Sequence, residues 1–106
     1  MSVTQESVDV FTERFVDALN AASMIAMASI GHRVGLFDAM ADGEMRTSAE
    51  LAEQAGLNER YTREWLNAMT VSDVVEHEDG RYRLPEAHAA CLTRAATPNK
   101  IGRAHV

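Results

Sequence analysis

The sequence predicts a mainly α fold: a winged helix-turn-helix with a two-stranded β wing, preceded by N-terminal helices that serve dimerisation. Three observations point there. A short helix pattern ends at Gly56 and a second begins at once behind Asn58. Asp79-Gly80 lies between two short runs of strand character. Upstream, residues 19–30 form a stretch of small and apolar residues too apolar for one face of a small domain.

Each element has a local cause. Residues 4–18 read as an amphipathic helix, with Val8, Phe11, Phe15 and Leu19 at spacings of three and four. Thr4 is its expected cap, and acids in the first turns suit the helix dipole. From Leu19 to Ile30, nine of twelve residues are apolar, which calls for burial on all sides. Gly31 and Gly35 are expected to loosen this helix, and Leu36, Phe37 and Met40 suggest a short turn ending near Gly43. Thr47-Ser48-Ala49-Glu50 matches a capping box, Leu51, Ala52 and Ala55 give an inner face, and Gly56 supplies the left-handed stop. Asn58 caps the next helix, whose apolar set is Tyr61, Trp65, Leu66 and Met69. Residues 74–78 and 81–84 read as strands joined by Asp79-Gly80, a turn with positive φ at both central positions. Pro85 starts a last helix through Ala87, Ala90 and Cys91. The expected division is 1–43 for the dimerisation helices and 44–99 for the winged-helix module.

Composition excludes several classes. Of the 106 residues, 46 % are hydrophobic, 25 % charged and 6 % aromatic, so the core is aliphatic, with six methionines. The net charge of −6 disfavours nucleic acid as the main partner, because phosphate binding needs a basic face. The first 56 residues carry nine acids against three bases, and the rest carry seven of each. A single cysteine precludes an intrachain disulfide. No secretion signal and no run of about 18 to 20 apolar residues is present, so no membrane role and a cytoplasmic location are expected.

The residues that carry chemistry are few. His32, His77, His88 and His105 are scattered, and His88 with Cys91 is a lone pair, short of the four ligands of a structural zinc site. No metal is expected; His88 reads as an exposed helix residue and Cys91 as a small core residue. Glu76, Glu78 and Asp79 read as a solvated wing. Arg60, Tyr61, Thr62 and Arg63 occupy the N-terminal part of a would-be recognition helix and are the candidate DNA contacts. Glu59 and Glu64 cancel the two arginines, so DNA is not expected as a partner. Phe11, Phe15, Met24, Ile25, Met27 and Ile30 are the candidates for a dimer interface or a substrate pocket. A domain this small cannot cover a helix apolar all round, and Met adapts to varied apolar partners.

The strings Leu19-Asn20-Ala21-Ala22, Ile30-Gly31-His32-Arg33-Val34-Gly35-Leu36-Phe37-Asp38, Ala52 through Leu66, with its Arg60-Tyr61-Thr62-Arg63-Glu64-Trp65-Leu66, and Gly80-Arg81-Tyr82-Arg83-Leu84-Pro85 resemble the N-terminal winged-helix domain of bacterial class I S-adenosylmethionine-dependent methyltransferases, over residues 5–99. The resemblance implies a domain that dimerises and helps wall the substrate pocket. It places S-adenosylmethionine in a separate C-terminal Rossmann-like domain. The six glycines here are scattered and form no Gly-rich strand–loop–helix, so no cofactor site or catalytic residue carries over and the chain alone is expected to be inactive. The expected function is therefore a dimerisation and substrate-cap domain, working as a homodimer with a C-terminal methyltransferase domain in the parent. The alternative is a small winged-helix transcriptional regulator. Residues 100–106 break the family pattern. Back-translated with a stop codon behind them, they read as the start of a short-read sequencing adapter, so a non-native tail from Lys100 is expected.

Overall fold

The computed structural model describes residues 3–93. The elements run α1 (Gln5–Val34), α2 (Leu36–Ala39), α3 (Ser48–Ala55), α4 (Glu59–Val71), β1 (Glu76–Glu78), β2 (Arg81–Arg83) and α5 (Glu86–Leu92). This is a winged helix with a small β wing. The expected tail at 100–106 lies outside the described residues.

The local signals act as their chemistry requires. Thr4 Oγ1 accepts from the Ser7 N–H, and the capping box closes in both directions, Glu50 N–H to Thr47 and Thr47 N–H to Glu50. Gly56 ends α3 at φ 69°, and Asn58 Oδ1 accepts from the Tyr61 N–H at the start of α4. Asp79 and Gly80 have φ of 50° and 75°, and the hairpin register pairs Glu76 with Arg83, His77 with Tyr82 and Glu78 with Arg81. Gly80→Val should therefore cost about 1 to 2 kcal/mol, because a β-branched residue resists positive φ. A mutant that melts with the parent's midpoint would contradict this turn geometry.

The core is built from Leu36, Phe37 and Met40 on one side of residue 43 and Leu51, Leu66, Met69 and Leu84 on the other. Phe37 meets Trp65 edge to face at 5.0 Å between centroids. Residue 46 adds a pairing not expected from the sequence: Arg46 N–H donates to the Tyr82 carbonyl at 3.0 Å, and the Arg46 carbonyl accepts from Tyr82 N–H at 2.7 Å, on the free edge of β2. Tyr82 is buried and its hydroxyl donates to Asn67 Oδ1, tying the wing to α4.

Several expectations are corrected. Residues 4–18 and 19–30 form one continuous helix, and Gly31 does not loosen it. Gly31 is buried inside α1, where the Trp65 ring lies against its bare Cα, and only Gly35, at φ 83°, ends the helix. Tyr61 is 71 % exposed and Thr62 takes its place inside, so the apolar face of α4 starts at Thr62, Trp65, Leu66 and Met69. The last helix is rotated from the expected phase. Ala89 and Leu92 face the core, while Ala87, Ala90 and Cys91 are exposed. Pro85 stands at the start of this helix, as its N-cap. His88 is half-buried, held by a 2.8 Å hydrogen bond between Nδ1 and the Val74 carbonyl. That bond sets the rotation of a seven-residue helix too short for its own periodicity to decide.

One ion pair fixes the entry to the Arg46 segment. Asp42 receives both guanidinium nitrogens of Arg46 and the Glu44 N–H. The Arg46 hydrogen bonds, then the Glu44 N–H, hold the Asp42 carboxyl at about 2, below its ordinary 3.8. A folded pKa below the unfolded one stabilises above the unfolded value and is lost as pH falls. Urea midpoints should thus hold above about pH 5 and drop between about pH 4 and 2, with a shallower drop for Asp42→Asn. An equal slope in both proteins would remove Asp42 from the acid transition.

Candidate functional site: the long helix and its exposed apolar stripe

α1 is 30 residues long, about 45 Å at 1.5 Å per residue. Among the described residues, only its second half touches other elements. Met24, Met27 and Ala28 pack on the core, Gly31 sits under Trp65, and Trp65 Nε1 donates to the Met27 carbonyl at 2.8 Å. Every described residue before Met24 is exposed, so the first half projects as an arm. The radius of gyration, 16.8 Å, exceeds the roughly 13 Å of a compact chain near this length.

The arm is amphipathic although no other described residue covers it. Val8, Phe11, Phe15 and Leu19 are 43 to 55 % exposed and fall on one stripe. Phe11 and Phe15 stack at 5.8 Å, with the Arg14 guanidinium over Phe11. At roughly 100° per residue, Ala22, Ala26 and Ile30 continue the stripe, and all three are exposed. Glu6, Asp9, Glu13 and Asp17 lie on the opposite face. Where the acids stop, that opposite face becomes the one bearing Met24, Met27 and Gly31. The stripe thus runs the length of α1, and the other face changes from solvated to core-packed.

The expected interface residues are therefore divided. Phe11, Phe15 and Ile30 join the stripe. Ile25 is 61 % exposed on its flank, while Met24 and Met27 are half-buried on the chain's own core. Met24 and Met27 also line an open groove between α1 and α4 of about 660 Å³, with Asn20, Ser23, Asn67 and Val71 around it. Ala22 and Ala26 belong to the small, apolar stretch at 19–30, and their exposure assigns them to the stripe, a face their small side chains do not declare by themselves.

The candidate DNA contacts are not brought together as a basic surface. Arg60 pairs with Glu64 at 3.5 Å and Arg63 with Glu59 at 3.8 Å, both within α4. Thr62 is 2 % exposed and its hydroxyl donates to the Asn58 carbonyl, so it cannot reach a base edge. Tyr61 alone of the four is both exposed and outside an ion pair. On the wing, Arg83 pairs with Glu76. Among the described residues, no group of three metal-ligating side chains comes together, and no helix is long and apolar enough to cross a membrane.

Residues 21–94 match the family model of the Rv2258c-like winged HTH domain. No curated protein matches the chain in sequence. Among solved structures, a putative O-methyltransferase from Nostoc punctiforme PCC 73102 superposes with a TM-score of 0.69 at 21 % identity, over 80 % of this chain and 26 % of that one. PigF with SAH gives 0.69 at 22 % identity, over 96 % and 28 %. CalO1, a methyltransferase in calicheamicin biosynthesis in its SAH-bound form, gives 0.56 at 33 % identity, over 92 % and 27 %. The chain spans about a quarter of the length of these proteins. By its match over most of its length, the chain belongs to the Rv2258c-like winged HTH domain family.

Proposed function

We propose that this chain is the dimerisation and substrate-cap domain of an S-adenosylmethionine-dependent methyltransferase, with residues 1–43 giving the dimerisation helices and 44–99 the winged-helix module. The observation that carries it is the apolar stripe along α1 from Val8 to Ile30, exposed among the described residues. Such an area is unusual on a soluble monomer, and a two-fold dimer covers it with its own copy. The groove between α1 and α4 then faces the substrate chamber of the parent enzyme. The likeness to methyltransferases supports this reading. S-adenosylmethionine belongs to a C-terminal catalytic domain of the parent. The strands described here are those of the hairpin, and no Gly-rich loop follows either into a helix, so these residues do not fit the cofactor.

The test is sedimentation equilibrium across a range of concentrations, with a duplex-DNA titration beside it. A dimer is expected, with DNA binding no tighter than the non-specific level of roughly 10⁻⁴ to 10⁻⁶ M at physiological salt. A chain that stays monomeric at high concentration would sink the dimer reading. Sub-micromolar duplex binding, lost in Arg60→Ala with Arg63→Ala, would favour the regulator instead.

A further inference from the structure

We propose that α1 pairs antiparallel with the α1 of a second copy, about a two-fold axis between residues 18 and 19, so that Phe15 packs over the partner's Ala22 and Phe11 over the partner's Ala26. This rests on the dimer reading above and adds the direction and register that reading leaves open.

Size is the first argument. The stripe is bulky in the arm, at Phe11 and Phe15, and small in the core-bearing half, at Ala22 and Ala26. A parallel pair would stack Phe on Phe at one end and Ala on Ala at the other, forcing the helices apart at the arm and leaving a void beyond it. Antiparallel pairing sets each large side chain over a small one, as close packing requires, and the alanines allow axes about 8 to 10 Å apart. Both Phe–Ala pairs obey one register. The same register brings Val8 to within a residue of Ile30, and Leu19 to its own copy beside the axis; all of these are exposed here.

Access and charge agree. Met24, Met27 and Gly31 turn the opposite face of α1 to the core, so among the described residues the stripe is open from Val8 to Ala26, and at Ile30 it borders Leu57 and Tyr61. Glu6, Asp9, Glu13 and Asp17 stay on the outer face of the arm, clear of the seam. Antiparallel macrodipoles attract, whereas parallel ones repel.

Pulsed EPR distances on spin-labelled chain decide it. Cysteine is placed at Gln5→Cys, exposed at the edge of the stripe one turn before Val8, or at Asp17→Cys, exposed on the acidic face, in a Cys91→Ser background. In the proposed register Gln5 lies opposite the partner's residue 32, which separates the two Gln5 labels by about 40 Å or more, against roughly half that for Asp17. Parallel helices give similar short distances at both sites. Equal distances, or no coupling in a sample that sediments as a dimer, would overturn the register while leaving the dimer. A sample that sediments as a monomer would remove the reading beneath it.

Discussion

Gly31→Ala should destabilise this chain by about 2 kcal/mol or more, a large loss for one methyl group. In an exposed helix interior the same change gains up to about 1 kcal/mol, because alanine is the better helix former. Here a Cβ at residue 31 would overlap Trp65 Cζ2 and stand 2.6 Å from Cε2. Neither side can yield easily. Residue 31 is in the middle of a rigid helix, and the Trp65 ring is 3 % exposed, wedged against Phe37 and held by its Nε1 bond to the Met27 carbonyl. Overpacking of this kind costs about 1 to 3 kcal/mol, occasionally more, and losing the Trp65 hydrogen bond leaves a buried donor unpaired. At roughly 4 to 8 °C per kcal/mol, the melting midpoint should fall by about 10 °C. The decisive measurement is a double-mutant cycle. Trp65→Phe removes the atoms that collide, so it should cost clearly less in the Gly31→Ala background than alone. Additive losses would mean that the two residues do not meet.

That contact also shows where the sequence stops being legible. Thr47, Gly56, Asn58 and Asp79-Gly80 act within four residues of themselves, so their caps and turns can be read from neighbours alone. Gly31 and Trp65 are in different helices, and nothing near Gly31 says that its missing side chain makes room for a ring. Read locally, a glycine loosens a helix, which is why that expectation failed. The Arg46–Tyr82 pairing is equally remote. In α5, seven residues hold too few turns for an apolar phase, and the His88 bond to Val74 decided it. The stripe was half legible: Phe11, Phe15 and Ile30 declare themselves as large apolar residues at helical spacing. The alanines between them are ambiguous until exposure shows which side of α1 the core occupies.

Phe15→Glu should abolish self-association and leave the fold intact. Phe15 is 55 % exposed within the single chain, touches Phe11 and contributes nothing to the core, so the substitution should change intrinsic stability by no more than about 0.5 kcal/mol. In a dimer closed over the stripe the effect is of another size. Two-fold symmetry places the new carboxylate in the seam twice, each time against apolar side chains with no cation across from it. A buried charge without a partner costs several kcal/mol, so two should weaken association by at least about 4 kcal/mol, roughly a thousand-fold in Kd. Two readouts separate this from misfolding. Helical circular dichroism should match the parent at low concentration, and the parent's melting midpoint should rise with protein concentration while that of Phe15→Glu stays constant, since only an associating fold gains stability by mass action. Val71→Glu is the control. Val71 is 85 % exposed, the most open large apolar residue on α4, and lies off the stripe. It should associate as the parent does, because what matters is the position of the charge on α1 and not the loss of an exposed apolar side chain. If Phe15→Glu instead dimerises with the parent's Kd, the stripe is not the interface, and the surface that joins two copies must be sought elsewhere.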